Sequence, residues 1–287
     1  MKLVNILNFV LFSILIYLSF EMPVAVLHGF RQSCDSRSFK NLVEFIHDRS
    51  GQYTKCIESG GGNIDISRSF EDQAKEACKI ISSDSNYDSD FAIVSISQGG
   101  VLARYIIEKC QMKGKVLKFI SIGGPLAGTH QLPHCFRGVV CHILNSFAEW
   151  FCYKGYVQKT FGPSGYFRVS NHLKRFKRSK SILLDLNNQG EIYDSEARRR
   201  FYELEKLILI GFKRDTMISP EQSAFFAEFD ENHYLVEMKD TESYKKDLFG
   251  LKTLDEANKI EMIFLDERHC RYSFQNIQDY IIPEIIE

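Results

Sequence analysis

The chain has 287 residues, of which 44% are hydrophobic and 25% charged, a composition that excludes disordered, collagen-like and coiled-coil proteins. Its 36 Lys and Arg nearly balance its 37 Asp and Glu, which gives a net charge of −1. No overall field therefore attracts nucleic acid or an acidic membrane, and a charged partner would have to meet a local patch.

Residues 1–20 predict a signal peptide. Lys2 supplies a positive charge ahead of a run rich in Leu, Ile, Val and Phe, which is the layout of a secretory signal. Polar Asn5, Asn8 and Ser13 shorten this run below the roughly 20 apolar residues of a comfortable membrane span, with an uncleaved anchor as the alternative. We expect residues 21–287 to form one domain in the secretory pathway, with no stable membrane span after removal of the signal.

The rest of the chain alternates apolar strand-like runs with segments of helical period, which is typical of parallel β-α-β units and predicts an α/β fold with a mostly parallel sheet. Between about residues 125 and 200 this rhythm breaks, so we interpret that stretch as an irregular, largely helical cap insertion over the strand ends. The predicted strands are Val24–Leu27, Tyr53–Glu58, Phe91–Ser95, Val116–Ile122, Leu207–Phe212 and Met262–Leu265, and the predicted helices are Phe39–Ile46, Ser69–Ser82, Gln98–Met112 and Phe274–Ile286.

The most informative segment is Ser95-Ile96-Ser97-Gln98-Gly99-Gly100, which joins a buried strand to a helix. A nucleophile elbow of the α/β-hydrolase fold needs such a sharp strand-to-helix turn with small neighbours around the serine. Ser95 stands where the generic G-x-S-x-G pattern has glycine, a departure of one hydroxymethyl group. We predict that Ser97 is the nucleophile, and the alternative is an ordinary polar turn.

A serine nucleophile needs a histidine base and a carboxylate that orients it, and in this fold they follow in the order Ser, acid, His. Asp215 follows the predicted strand Leu207–Phe212, and His269 lies in the loop after Met262–Leu265, just before the last helix. We predict these two as acid and base. The alternative acid is Asp266, which lies only three residues from His269, a less usual arrangement than an acid from the preceding strand loop. The alternative bases are His47, which lies in a helix before the nucleophile, and His172 and His233, neither of which follows a core strand.

The first predicted strand ends at His28-Gly29-Phe30, where α/β-hydrolases provide one backbone N–H of the oxyanion hole. The other donor is expected to be the amide of Gln98. For His28 itself, a side chain that holds the turn by hydrogen bonding is more plausible than a direct catalytic role. No zinc-like spacing of Cys and His is present in the sequence, so we expect no metal and no cofactor.

Beyond these motifs, the chain resembles the palmitoyl-protein thioesterase family of α/β-hydrolases over nearly its whole mature length. Gln222–Phe226 and Leu248–Leu254 resemble the type-two members, whereas Leu132–Cys135 and Cys141 resemble the first type. The matching segments are Val26–Gly29 with Ser33, Ser97–Gly100, Ile120–Pro125, Leu209–Gly211 with Asp215 and Ile218–Pro220, Gln222–Phe226 and Leu248–Leu254.

The resemblance implies a catalytic triad of Ser97, Asp215 and His269, with oxyanion amides from Phe30 and Gln98. It also implies disulfides Cys78–Cys110 and Cys135–Cys141, while Cys34, Cys56, Cys152 and Cys270 receive no assigned partner. The implied location is the lysosome, with secretion as the alternative because the sequence contains no Asn-x-Ser/Thr sequon. An even number of cysteines fits the oxidising secretory pathway.

The resemblance further implies hydrolysis of long-chain acyl thioesters, namely S-palmitoylated proteins or peptides or palmitoyl-CoA, with no nucleic acid partner. Alternatives are a carboxylic-ester lipase or esterase of the same fold and a non-catalytic acyl-binding protein. Cap aromatics, among them Phe147, Trp150 and Phe151, are interpreted as a wall of an acyl groove, with plain core as the alternative. Lys177 and Arg178 are interpreted as contacts for the phosphates of CoA, with a solvated basic loop as the alternative.

Overall fold

In the computed structural model, the described residues are 22–60, 67–132 and 139–286, without the side chains of residues 141 and 142. The predicted signal peptide and Cys135 lie outside this part of the chain. Six strands form one sheet in the order β2-β1-β3-β4-β5-β8, and every neighbouring pair is parallel. The strands within these ranges are β1 Val24–Leu27, β2 Thr54–Ile57, β3 Phe91–Ile96, β4 Val116–Ile122, β5 Lys206–Phe212, β6 Glu228–Phe229, β7 Leu235–Val236 and β8 Ile260–Leu265.

Helices cover both faces of the sheet, which confirms the predicted α/β class with its parallel sheet. The α-helices are α1 Arg37–Ser50, α2 Phe70–Ser82, α3 Gly99–Lys109, α4 Val139–Phe151, α5 Gly155–Thr160, α6 Leu173–Phe176, α7 Ile182–Leu186, α8 Ser195–Tyr202, α9 Glu242–Lys245, α10 Leu251–Glu256, α11 Phe274–Tyr280 and α12 Ile282–Ile286. The segment between the adjacent strands β4 and β5 carries α4 to α8.

Two apolar clusters, one on each face of the sheet, form the core. In β1, Ala25 and Leu27 belong to one cluster and Val24 and Val26 to the other, because successive side chains of a strand point to opposite faces. Helices α2 and α3 contribute to the first cluster, and α1, α11 and α12 contribute to the second. The central strands are therefore buried on both faces, as their continuous apolar runs predict.

The predicted closing helix Phe274–Ile286 is wrong as a single element, because the structure divides it into α11 and α12. Pro283 lies in the first turn of α12 and has no backbone N–H to continue the ladder of α11, so the chain starts a new helix there. The sequence reading also missed the short hairpin β6–β7 and the helices α9 and α10. These elements have only two to six residues each, too few for a recognisable period.

A buried arginine joins α3 to the segment between β4 and β5. The Arg104 guanidinium donates hydrogen bonds to the Leu126 and Leu186 carbonyl oxygens at 3.2 and 2.6 Å and to Oδ1 of Asn187 at 2.9 Å. Its Nε lies 3.0 Å from Oε1 of Glu108, and both side chains are almost completely buried. The helix that follows Ser97 is thereby tied to residues on both sides of α4, α5 and α6.

Two disulfides brace the sheet edge and the helical layer. Cys78–Cys110, which the resemblance implies, joins α2 to the residue after α3. Cys34–Cys56, whose two cysteines have no assigned partner in the sequence analysis, joins the loop after β1 to β2. Cys152 and Cys270 are free thiols. Within the described ranges, no helix is both long enough and apolar enough to cross a bilayer.

Candidate active site

The end of β3 forms the sharp turn that a nucleophile elbow requires. Ser97 has a positive φ of 51°, a backbone conformation that non-glycine residues adopt at a cost and that clusters at active sites. A Cβ on Gly99 would lie 2.8 Å from the Leu27 carbonyl oxygen, and one on Gly100 would lie 2.9 Å from Cα of Gly124. Glycine at both positions therefore lets α3 start directly against the neighbouring strands and presents Ser97 above the sheet.

Ser95, the departure from the generic motif, fits without disturbing this turn. Its side chain is fully buried, and its hydroxyl donates a hydrogen bond to the Ile120 carbonyl oxygen at 3.1 Å on the adjacent strand β4. Because this hydroxyl is hydrogen-bonded, replacing glycine by serine at this position leaves no unpaired polar group in the core.

The structure brings Ser97, His269 and Asp215 together from the ends of three strands. His269 Nε2 lies 2.9 Å from Ser97 Oγ, and His269 Nδ1 lies 2.5 Å from Asp215 Oδ2. The other carboxylate oxygen, Oδ1, accepts the backbone N–H groups of Met217 at 2.7 Å and Ile218 at 3.0 Å. This is the nucleophile, base and orienting-acid geometry of a serine hydrolase.

Two neighbours act on the protonation of His269. Burial by itself lowers the pKa of this imidazole, but Cys270 and the Asp215 carboxylate raise it, and the net direction is upward. The positive form that arises when the base takes the serine proton is therefore stabilised in place.

The alternative acid and bases lie elsewhere. Asp266 is exposed and pairs with Arg214 at 3.3 Å. His47 contacts the Gln52 carbonyl oxygen at 2.9 Å, and His233 contacts the Ser170 hydroxyl at 2.9 Å. His172 lies 3.9 Å from Glu149. None of these contacts involves Ser97.

The two predicted oxyanion residues lie beside Ser97. Phe30 follows Gly29, on which a Cβ would come within 3.1 Å of the Ser97 Cβ, and the Gly29 N–H donates to Gln32 Oε1 at 2.9 Å. Gln98 precedes α3, and its side chain is held away from the turn by hydrogen bonds with Gln73 and Tyr166. Its main-chain amide thus stands at a helix N-terminus, where partial positive charge favours an anion.

Glu58, which the sequence reading did not single out, supports the turn that carries Phe30. His28 Nε2 lies 2.8 Å from Oε1 of Glu58, while Oε2 accepts the Ser33 hydroxyl at 2.9 Å and the Cys34 N–H at 2.8 Å. The Cys34–Cys56 disulfide closes the same loop onto β2. This agrees with the interpretation of His28 as a residue that holds the turn.

A cavity of about 580 Å³ opens at Ser97 and His269. Several of its lining residues were missed, although Arg268, Cys270 and Arg271 flank His269 in the sequence and could have been found by that adjacency. None of Phe147, Trp150, Phe151, Lys177 and Arg178 lines this cavity, and all five are exposed. The lining consists of Phe30, Gln32, Ser97, Thr216, Met217, Arg268, His269, Cys270 and Arg271.

The chain is similar in sequence to one family of known proteins. The family model described as palmitoyl protein thioesterase matches residues 23–269. The chain is 30% identical to lysosomal thioesterase PPT2-B of Xenopus laevis over 81% of either chain. It is 24% identical to palmitoyl-protein thioesterase 1 of Caenorhabditis elegans, over 88% of this chain and 87% of the relative. Among solved structures, a Paleococcus ferrophilus monoacylglycerol lipase aligns with a TM-score of 0.48 at 11% identity, covering 93% of this chain and 96% of the lipase.

Proposed function

The chain belongs to the palmitoyl protein thioesterase family, and from this premise we propose that Ser97, Asp215 and His269 form the triad of a serine thioesterase acting on long-chain acyl thioesters. Family membership makes it a thioester hydrolase. The single observation that supports these three residues is the continuous chain of contacts from Ser97 Oγ through both His269 nitrogens to the Asp215 carboxylate. The relatives named as palmitoyl-protein thioesterases support palmitoyl as the acyl group.

In the proposed reaction Ser97 Oγ attacks the thioester carbonyl while its proton passes to His269 Nε2. The amides of Phe30 and Gln98 stabilise the developing oxyanion, and loss of one such donor costs about 10²–10³-fold in turnover in other hydrolases. His269 then gives the proton to the departing thiolate, which leaves an acyl ester on Ser97. A water molecule, deprotonated by the same imidazole, hydrolyses the ester and regenerates the enzyme.

We expect the enzyme to reside in the lysosome or elsewhere in the secretory pathway. Relatives named lysosomal thioesterases support the lysosome, and the two disulfides fit an oxidising compartment.

A substrate panel tests the activity. We expect palmitoyl-CoA and a palmitoylated peptide to be hydrolysed with much higher kcat/KM than matched octanoyl thioesters, because each buried methylene contributes about 0.8 kcal/mol. Initial rates on these thioesters and on a palmitoyl nitrophenyl ester give the comparison. Preference for the oxygen ester would point to an esterase. Binding of the acyl substrate with neither turnover nor fluorophosphonate labelling of Ser97 would point to an acyl-binding protein.

A second test concerns the CoA phosphates. Neither Lys177 nor Arg178 lines the cavity at Ser97, so a phosphate role requires that the rest of CoA extends out to them. If it does, Lys177→Gln with Arg178→Gln raises KM for palmitoyl-CoA, most strongly at low salt, and leaves a neutral palmitoyl thioester unaffected. The matched variant, Arg268→Gln with Arg271→Gln, neutralises the two arginines that line the cavity. Kinetics of both variants on both substrates separate the sites. A CoA-specific effect confined to the second variant would contradict a phosphate role for Lys177 and Arg178.

A further inference from the structure

Helix α4 turns an apolar face towards solvent. Every residue of α4 that is exposed, among those with described side chains, is a large apolar one, with exposed fractions from 42% for Phe151 to 77% for Val139. The opposite side is the one that packs, since Ala148, together with Cys152 just beyond the helix, contacts Phe167 and Val169. The exposed residues are Val139, Val140, Ile143, Leu144, Phe147, Trp150 and Phe151.

This arrangement is the reverse of an ordinary surface helix, which keeps its apolar stripe towards the core and its polar residues outside. Over 13 residues the face is about 20 Å long, and Phe147 stacks on Phe151 with ring centroids 4.3 Å apart. Contiguous apolar surface of this kind marks a site of interaction.

Cations border the apolar face. The Arg175 guanidinium lies 4.2 Å from the centre of the Trp150 ring, which places α6 beside the end of α4. Lys174 on α6 and Lys180, four residues after the end of α6, are also exposed. Lys177 is not counted among these cations, because the carboxylates of Glu228 and Glu242 interact with it and offset its charge.

We propose that α4 docks this enzyme on the surface of an anionic lipid bilayer. The apolar side chains of α4 enter the interfacial region, and Lys174, Arg175 and Lys180 meet the headgroups. A helix with one strongly apolar face and cations beside it is the combination that lies in the plane of a membrane. Trp150 lies between the apolar side chains of α4 and the cation Arg175. Tryptophan is enriched in membrane proteins at the corresponding level, the interface between lipid and water.

The same charges argue against a second copy of the chain as the occupant. An α4-to-α4 dimer would bring two sets of these cations close together, and like charges facing each other disfavour association. Anionic headgroups complement them instead.

Docking would also bring the membrane near the reacting groups. Helix α5 begins four residues after α4 ends, and Phe161, directly after α5, packs edge-on against Phe30 with ring centroids 6.3 Å apart. The segment from the docking face to the oxyanion turn is therefore short. The inference goes beyond the proposed hydrolysis and does not depend on it, because binding to lipid can be measured without turnover.

Trp150 is the only tryptophan of the chain, so its fluorescence reports on this helix alone. The full chain carrying Ser97→Ala would be titrated with phosphatidylcholine vesicles, with and without phosphatidylserine, and binding measured in parallel by cosedimentation. We expect a blue shift of the emission and quenching by brominated lipid, with tighter binding to the vesicles that contain phosphatidylserine.

Substitutions separate the apolar contribution from the charged one. Ile143→Asn with Leu144→Asn is expected to weaken partitioning at least tenfold, since each side chain loses its burial in lipid. Lys174→Gln with Arg175→Gln should weaken cosedimentation only with phosphatidylserine vesicles at low salt. The matched control is Ile192→Asn, which removes an apolar side chain that is 86% exposed outside α4 and should bind like the parent.

Three results would overturn the proposal. The first is cosedimentation with neither type of vesicle. The second is an emission spectrum already shifted to the blue in the lipid-free monomer, since the face would then be covered. The third is a concentration-dependent blue shift without lipid, accompanied by dimer in sedimentation velocity, which would assign the face to a second copy.

Discussion

Ser97→Ala is expected to reduce kcat by at least about 10⁴-fold while the protein stays folded. The hydroxyl is the only group removed, and it lies 2.9 Å from His269 Nε2. Alanine keeps the Cβ of serine, so the positive φ of the turn is no more strained than before. Steady-state kinetics measures kcat, fluorophosphonate labelling reports whether the nucleophile is present, and a thermal melt checks that the variant is folded.

Ser95→Ala is the matched control, because it removes a hydroxyl two residues earlier, at the end of strand β3. That hydroxyl bonds to the Ile120 carbonyl oxygen in the core, so its loss should cost about 1 kcal/mol of stability with turnover close to wild type. Full activity in purified Ser97→Ala, or loss of labelling only in Ser95→Ala, would contradict the assignment of Ser97 as nucleophile.

Asp215→Asn is expected to lower kcat by about 10⁴-fold with little change in substrate binding. Oδ1 already accepts two backbone N–H groups, from Met217 and Ile218, so the asparagine carbonyl takes that place and its NH₂ faces His269 Nδ1. The imidazole must then carry its proton on Nε2, where it can no longer accept the proton of Ser97.

The same variant has a pH signature. The Asp215 carboxylate raises the pKa of His269, and only the neutral imidazole acts as base, so kcat/KM of the wild type falls as the pH drops through that pKa. Without the carboxylate the pKa decreases, and the acid limb of the residual activity moves to lower pH. Asp266→Asn, at the exposed Arg214 pair, is the control and should keep both rate and profile. A large loss there, with near-normal rates in Asp215→Asn, would transfer the role to Asp266.

The sequence was sufficient to predict that Ser97, Asp215 and His269 lie together, because strand ends in a parallel sheet converge on one edge. Ser97 and Asp215 follow the buried strands β3 and β5, and His269 follows the partly exposed edge strand β8. Once the strand order is known, their proximity follows. The pairing of Cys34 with Cys56 had no such guide, since it depends on how a loop folds back onto β2. Neither chain spacing nor residue type encodes that distance.

The aromatics of α4 were ambiguous for another reason. Periodic apolar residues normally predict a face turned to the core, and from the sequence Phe147, Trp150 and Phe151 fit either a groove wall or plain core. The period locates the face but carries no information about what covers it. The exposed fractions of these side chains and the packing of Ala148 on the other side show that the apolar face is the outer one.

The guanidinium of Arg104 limits how the segment between β4 and β5 can be exchanged by protein engineering. In a chimera that receives this segment from another hydrolase, the Leu186 and Asn187 acceptors disappear while the arginine stays buried in α3. A buried cation that loses its partners costs several kcal/mol. Grafts that aim to alter substrate choice would therefore have to redesign position 104 and its partner Glu108 together with the transplanted residues.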